Sequence, residues 1–316
     1  MEMKKYFIGI DIGGMSVKGV AVDKDGKILC EGTAPTGDKD GGNSLAENVC
    51  ELVQRLISNS GHSAPEFAGV GVGCPGVIDS KNGVVVFAGN LSLKNFPLVE
   101  RVQKSVKLPV KITNDANAAA LGEAKFGAGK MCDNAVLITL GTGVGGGVII
   151  DGKLFEGYKS AGTELGHIVI QEGGNPCTCG RKGCFETYAS ATALINSTAR
   201  AMRENKDSAM WNTYTPETVT GKTAFEYMDC DKTAKKVVEE YVRYLASGLT
   251  SIANIFRPQI IMLGGGVCNQ GERLIAPVRE IVKKEIFGGT DYADIEIVKA
   301  TLGNLAGALG AASLLM

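Results

Sequence analysis

The sequence predicts an α/β protein built from two similar domains, and three observations carry that prediction. A strand, a glycine turn, a second strand, an Asp-Gly hairpin and a third strand begin near Phe7 and recur near Ala135. Each copy is followed by helical periodicity and then an apolar strand ending in glycine, Val70 to Gly76 in the first and Ile260 to Gly266 in the second. The period is about half of the 316 residues, which excludes a solenoid and points to duplication, with ligands expected in a cleft where strand ends and helix starts meet.

The elements follow in order. Phe7 to Ile12 reads as a strand closing on Gly13-Gly14, Val17 to Val22 as its partner, and Asp25-Gly26 as the hairpin into Lys27-Ile28-Leu29. From Ser44 the apolar positions Leu45, Val49, Leu52, Val53 and Leu56 share a helical face, with Ser44 and Glu47 spaced as a capping box. Val110 to Thr113 is a strand that reaches Asn114-Asp115 and passes directly into an alanine-rich helix, Ala116 to Phe126. Asn90 is expected in a loop before Phe96-Pro97.

In the second copy the strand Ala135 to Leu140 precedes a turn drawn over Gly141 to Gly146, then Val148 to Ile150, Asp151-Gly152 and Lys153 to Phe155. Val238, Val242, Leu245, Leu249, Ile252 and Phe256 line a long helix that stops before Pro258. Lys206 to Asp231 shows no clear period and reads as loop and short helix. The Ala/Gly-rich helix Leu305 to Leu315 is expected to cross back onto the first domain. The expected division is 1–115 plus 304–316 for a small N-terminal domain and 116–303 for a larger one.

A net charge of −1 argues against nucleic acid or an anionic membrane surface as the main partner. The opening ten residues enter a strand too early for a signal peptide, and Asn134 to Ile150 is interrupted by five glycines, so no membrane span is expected. Nine cysteines, an odd number, then read most simply as reduced thiols in cytoplasm.

Three of them, Cys177, Cys179 and Cys184, stand close together with His167 ten positions before the first. Three thiolates and an imidazole are the donor set of a closed tetrahedral zinc site, expected to be structural and to carry a loop that presents Glu164, His167 and Glu186. The two tight turns, Asp11-Ile12-Gly13-Gly14-Met15 and Gly141-Thr142-Gly143-Val144-Gly145, expose backbone N–H groups suited to phosphate. A strand follows each, so neither is the dinucleotide-binding glycine signature. Gly264-Gly265-Gly266 would let an adenosine ring lie against backbone, or would serve close packing alone. Asp11 offers a hard oxygen for Mg²⁺, and Lys18 either faces the phosphates or is solvated. Asp115 is either a helix cap or a proton acceptor for an attacking hydroxyl. His62 is expected at the surface.

Taken together, DIGGMSVKG, CPGVID, NLSL, NDANAAALGE, GTGVGGG, ELGH, CTCGRKGCFE and GGGV resemble the ROK family of sugar kinases and sugar-responsive repressors, over essentially the whole chain. The resemblance implies the actin/hexokinase-like ATPase fold, with duplicated βββαβαβα units, and ATP-dependent phosphorylation of a hexose at its 6-hydroxyl. It implies Asp115 as catalytic base and Asn90, Asn114, Glu164, His167 and Glu186 as sugar contacts. His167, Cys177, Cys179 and Cys184 would bind zinc, and the chain would form a dimer or tetramer acting in carbohydrate metabolism. Met15 departs from the family, which usually has threonine after the two glycines. Glucose is expected ahead of an N-acetylhexosamine such as N-acetylmannosamine or N-acetylglucosamine, because two carboxylates and an imidazole suit free hydroxyls better than an amide methyl. A repressor would need a DNA-binding helix-turn-helix ahead of the first strand, and five residues precede Tyr6.

Overall fold

A computed structural model of the chain describes residues 5–37, 40–289 and 294–316. The opening Met1 to Lys4, part of the segment read as entering a strand rather than as a signal, lies outside them. In chain order the first strands are β1 (Tyr6–Ile12), β2 (Ser16–Asp23), β3 (Ile28–Pro35), β4 (Phe67–Cys74), β5 (Val77–Asp79), β6 (Val84–Ala88), β7 (Leu93–Phe96) and β8 (Val110–Asn114). Five of them form a sheet in the order β3-β2-β1-β4-β8, antiparallel across the two hairpins and parallel across β1-β4-β8. The second copy supplies β9 (Ala135–Leu140), β10 (Val144–Ile150), β11 (Lys153–Phe155), β12 (Ile260–Gly264) and β13 (Glu296–Lys299), ordered β11-β10-β9-β12-β13. The two sheets share one topology, and the duplication read from the glycine turns extends to strand order. A small antiparallel sheet, β5-β6-β7, was not foreseen.

Two compact units result: residues 1–133, 147–163 and 301–316 form one, and 134–146 with 164–300 the other. In the first, period-two alternation sends Ile8 and Ile10 into a core with Leu52, Val53 and Leu56 of helix α1 (Asn43–Asn59). It sends Phe7, with Val20 and Val22 of β2, to the opposite face, against Ala308, Leu309 and Ala312 of the last helix. That helix, labelled α9 (Ala306–Ser313) after α2 (Leu98–Val106), α3 (Asp115–Phe126), α4 (Glu186–Ala189), α5 (Ala191–Glu204), α6 (Thr223–Tyr227), α7 (Lys232–Phe256) and α8 (Glu272–Glu285), packs unusually close. A Cβ on Gly9 or Gly71 would collide with the α9 carbonyls of Ala308 or Ala311, and one on Gly310 with the α3 carbonyl of Ala118.

This contact corrects the expected division. Helix α3, assigned from sequence to the larger domain, groups with α9 and the first sheet, because small residues on both helices let their backbones meet. Glu123, fully buried near the end of α3, strengthens the link by accepting from Leu302 N (2.7 Å) and Ala128 N (2.9 Å).

The capping box at Ser44 is a second correction. Ser44 lies inside α1, whose N-cap is Gly42, two residues before the expected one, and the Ser44 amide (3.0 Å) and hydroxyl (2.6 Å) donate to Asp40. His62 is half-buried rather than merely at the surface, stacked on Tyr6 with ring centroids 3.8 Å apart. In the second unit Val238, Val242, Leu245, Leu249 and Ile252 are buried along α7, while Phe256 at its end is only half-buried. The stretch 206–231 holds a 3-10 turn, Ala209–Asn212, and α6. Buried Asp231 ties them together, accepting from Ser208 Oγ (2.8 Å) and capping α7 through Ala234 N (2.9 Å).

Candidate functional site

Within the first unit, the junction of β8 and α3 carries Asn114 and Asp115. Asn114 ends the strand and caps the helix: its Oδ1 accepts from Ala116 N (2.9 Å) and Asn117 N (3.3 Å), and its Nδ2 donates to Gly76 O (3.1 Å). Capping therefore falls to Asn114, which leaves Asp115 as the first helical residue, with Ala116 N (2.9 Å) donating to its Oδ1. Burial raises the Asp115 pKa above the carboxylate norm, against the opposing effect of that amide. A carboxylate raised this way is a better proton acceptor than a solvated one.

Asp11, near the end of β1, lies close enough to feel the same charge. Burial first, and Asp115 second, push its pKa up to about 6, while Lys18, its cross-strand partner, pulls the other way. The α9 backbone at Gly307 lies against the Asp11 carboxylate: a Cβ there would come within 2.7 Å of Oδ2. Cys74 lies in the same buried region, its thiol held neutral by burial and by both carboxylates. Met15 of the adjoining turn is 91% exposed, and Thr36 secures the turn through Oγ1 to Gly13 O (2.7 Å) and N to Met15 O (3.2 Å). Asn90, on a single 3-10 turn at Gly89–Leu91, has its amide 3.9 Å from where a Gly14 Cβ would stand.

The raised Asp11 pKa has a measurable consequence. Between the ordinary carboxylate value of 3.8 and about 6 the folded state holds a proton that the unfolded chain releases, so this group's contribution to stability falls as pH rises through that window. In magnesium-free buffer, Asp11→Asn should raise thermal stability at pH 7, by about 1–3 kcal/mol at most, with the gain vanishing below about pH 4. A wild-type to variant difference that does not change with pH would contradict the burial-driven shift.

In the second unit the glycine turn is shorter than expected. β10 starts at Val144, so Gly145 and Gly146 lie inside the strand and only Gly141, Thr142 and Gly143 make the turn. Gly141 N donates to Gly143 O (3.0 Å), and Glu186, at the start of α4, accepts from Val144 N through Oε2 (3.0 Å). A Cβ on Gly143 would collide with that carboxylate. Glu186 thus braces the turn as well as standing among the expected sugar contacts. Gly265, at φ 96°, is required because a side chain there would strike the Leu140 carbonyl, whereas Gly266 faces open space.

His167, Cys177, Cys179 and Cys184 converge, with their donor atoms all within 4.8 Å of one another. His167 turns Nδ1 toward Cys177 Sγ (3.6 Å), and Cys179 Sγ lies 3.6 Å from Cys184 Sγ, too far for a disulfide. Gly180 and Gly183, at φ 89° and 82°, allow the tight return between the cysteines. Cys177 Sγ is also 3.8 Å from Glu186 Oε1, so one carboxylate touches both the sulfur cluster and the glycine turn. Glu164 is exposed and precedes the 3-10 turn Leu165–His167, its carbonyl accepting from His167 N (3.0 Å).

Residues 7–316 match the ROK family. The chain belongs to the ROK family. Its ROK relatives include a glucokinase of Halalkalibacterium halodurans, 37% identical over 97% of this chain and 93% of the relative. A glucokinase of Thermotoga maritima is 37% identical over 99% and 98%. Among solved structures it resembles a ROK family glucokinase from Streptomyces griseus in complex with glucose and AMPPNP, with a TM-score of 0.81, 35% identity and 98% of both chains covered. The fold is the actin/hexokinase-like ATPase fold shared by ROK glucokinases. No helix among the described residues is long and apolar enough to cross a membrane.

Proposed function

We propose that this ROK protein is an ATP-dependent glucokinase that converts glucose to glucose 6-phosphate. The likeness to a glucokinase solved with glucose and AMPPNP carries the reading. Asp115 supports it, as a half-buried carboxylate that the helix does not need for its cap and whose raised pKa suits a general base. Asp115 takes the proton of the glucose 6-hydroxyl as that oxygen attacks the γ-phosphorus. The new O–P bond forms as the bond to the β-phosphate oxygen breaks, and ADP leaves in line. Asn90, Asn114, Glu164, His167 and Glu186 hold the sugar hydroxyls. The turns at Gly13-Gly14 and Gly141-Thr142-Gly143 hold the phosphates through the N–H groups of Gly14, Thr142 and Gly143, those of Gly13 and Gly141 being bonded to Ser16 O and Gly143 O, with Gly265 and Gly266 beside the adenosine.

Asp11 fits a Mg²⁺ partner, since Lys18 only partly offsets the burial and the Asp115 charge that raise the pKa of this half-buried carboxylate. Magnesium, when bound, neutralises charge on the transferring phosphoryl group. The sulfur cluster fits zinc. Thiolates on a tetrahedral zinc stand about 3.8 Å apart, given Zn–S bonds near 2.3 Å, close to the 3.6 Å between Cys179 and Cys184. Burial and the neighbouring thiols push Cys184 up to about 12, so a thiolate there calls for a cation. His167 would hold the metal through Nδ1, leaving Nε2 for the sugar. The reading extends to a cytoplasmic homo-oligomer, dimer or tetramer, serving glycolysis; reducing conditions suit a chain with nine cysteines, an odd number.

The test is kcat/KM for glucose, mannose, N-acetylglucosamine and N-acetylmannosamine with ATP, on protein whose zinc content is measured. Glucose should lead, with about one zinc per chain. An N-acetyl sugar used more efficiently than glucose would overturn the substrate assignment.

A further inference from the structure

A half-buried cluster of hydroxyls in the first unit meets at one carboxylate that the phosphoryl-transfer reading does not use. Glu156 Oε1 accepts from Thr113 Oγ1 (2.6 Å) and from Ser80 Oγ (2.8 Å), and Ser80 Oγ lies 2.6 Å from Ser160 Oγ. Each hydroxyl has a single proton. Ser80 is placed to donate to both Glu156 and Ser160, so its one proton is shared between them, while the carboxylate only accepts.

The three hydroxyls come from places that matter. Thr113, 1% exposed, immediately precedes Asn114 and Asp115 on β8. Ser80 follows β5, just beyond the Gly76 carbonyl to which Asn114 donates. Ser160 belongs to the loop that runs on in sequence to Glu164 and His167. That loop closes on itself through Gly162 N to Glu156 O (2.8 Å). Three of its residues other than glycine are left-handed: Lys159 at φ 55°, Ser160 at 56° and Thr163 at 61°. Side chains disfavour that region, and such a loop persists only where surrounding contacts over-determine it. Those contacts include the Glu156 cluster and the Thr163 hydroxyl, which shares its proton between Gly162 O (2.7 Å) and Oδ1 of buried Asn117 on α3 (3.3 Å).

We propose that Glu156 is a positioning residue for hexose phosphorylation, fastening the 156–163 loop to the strand end that carries Asp115. The proposal rests on the kinase reading and on Asp115 as its base. Removing the carboxylate leaves the buried Thr113 hydroxyl without its acceptor and frees the loop to leave its left-handed conformation. The sugar side of the reaction should suffer more than the nucleotide side, because the loop leads into Glu164 and His167.

The experiment compares wild type, Glu156→Ala, Glu156→Gln and Thr113→Val with glucose and with ATP as varied substrates. Glu156→Ala should lower kcat/KM for glucose about tenfold or more, as expected for lost hydrogen bonds to a charged group, with KM for ATP within about threefold. The glutamine carbonyl still accepts both hydroxyls, so Glu156→Gln should recover most of the loss. Should Glu156→Ala fail to fold, Thr113→Val, which keeps shape and loses the hydroxyl, should still lower glucose efficiency by about threefold or more without moving KM for ATP. Glucose efficiency unchanged in the folded variants overturns the proposal. So does a parallel loss for glucose and ATP with glutamine no better than alanine, which marks a purely structural role. Wild type that phosphorylates no hexose instead removes the kinase reading itself, and that is seen before any variant is made.

Discussion

Asp115→Asn should lower turnover on glucose by at least ~10²–10⁴, the usual worth of positioned proton transfer, while glucose affinity changes little. The amide keeps the size of the carboxylate and its oxygen can still accept from Ala116 N, so the start of α3 should hold. The helix does not rely on Asp115 for its cap, because Asn114 supplies that with two bonds to backbone amides. Asparagine cannot take the 6-hydroxyl proton, so the loss should appear in kcat rather than in KM. It should also relieve Asp11, whose raised pKa owes part of its shift to the Asp115 charge. Isothermal titration with glucose alongside steady-state kinetics separates these effects. Near-normal turnover in the pure variant would remove Asp115 from the role.

Gly310→Ala should cost about 3 kcal/mol or more in stability, although alanine is the better helix former by about 1 kcal/mol. The overlap outweighs propensity because the new Cβ meets the Ala118 carbonyl and the backbone near Gly122, both fixed in α3, rather than a side chain that could rotate away. Gly71→Ala, on β4 against the Ala311 carbonyl, should behave alike. Gly221→Ala is the control: its Cβ would find only Val267 Cγ2, at 3.9 Å, and stability should change by no more than about 0.5 kcal/mol. Chemical denaturation of the three variants checks the ranking. If Gly310→Ala matches Gly221→Ala, the close approach of α9 to α3 is not what holds the last helix in place.

The hairpins, the duplication and the convergence of His167 with the three cysteines were legible in the sequence because each depends on near neighbours. Period-two alternation, Asp-Gly turns and glycines between closely spaced ligands act within a few residues, and the described strands follow them. The position of Asp115 at a strand–helix junction was legible for the same reason. Which residue caps that helix was not, because the choice depends on Gly76, 38 positions away, accepting the Asn114 amide. Ser44 fell inside α1 and bonded to Asp40 rather than capping the helix, because the N-cap moved two residues back to Gly42. Gly145 entered a strand because sheet pairing continues where turn composition alone suggested a longer loop. The grouping of α3 with the first sheet came from backbone contacts with α9, nearly two hundred residues later, and small-residue composition does not name its partner. Glu156 carried no signal at all: its partners Thr113 and Ser80 lie 43 and 76 residues away, and only folding makes a buried hydroxyl dependent on one distant carboxylate.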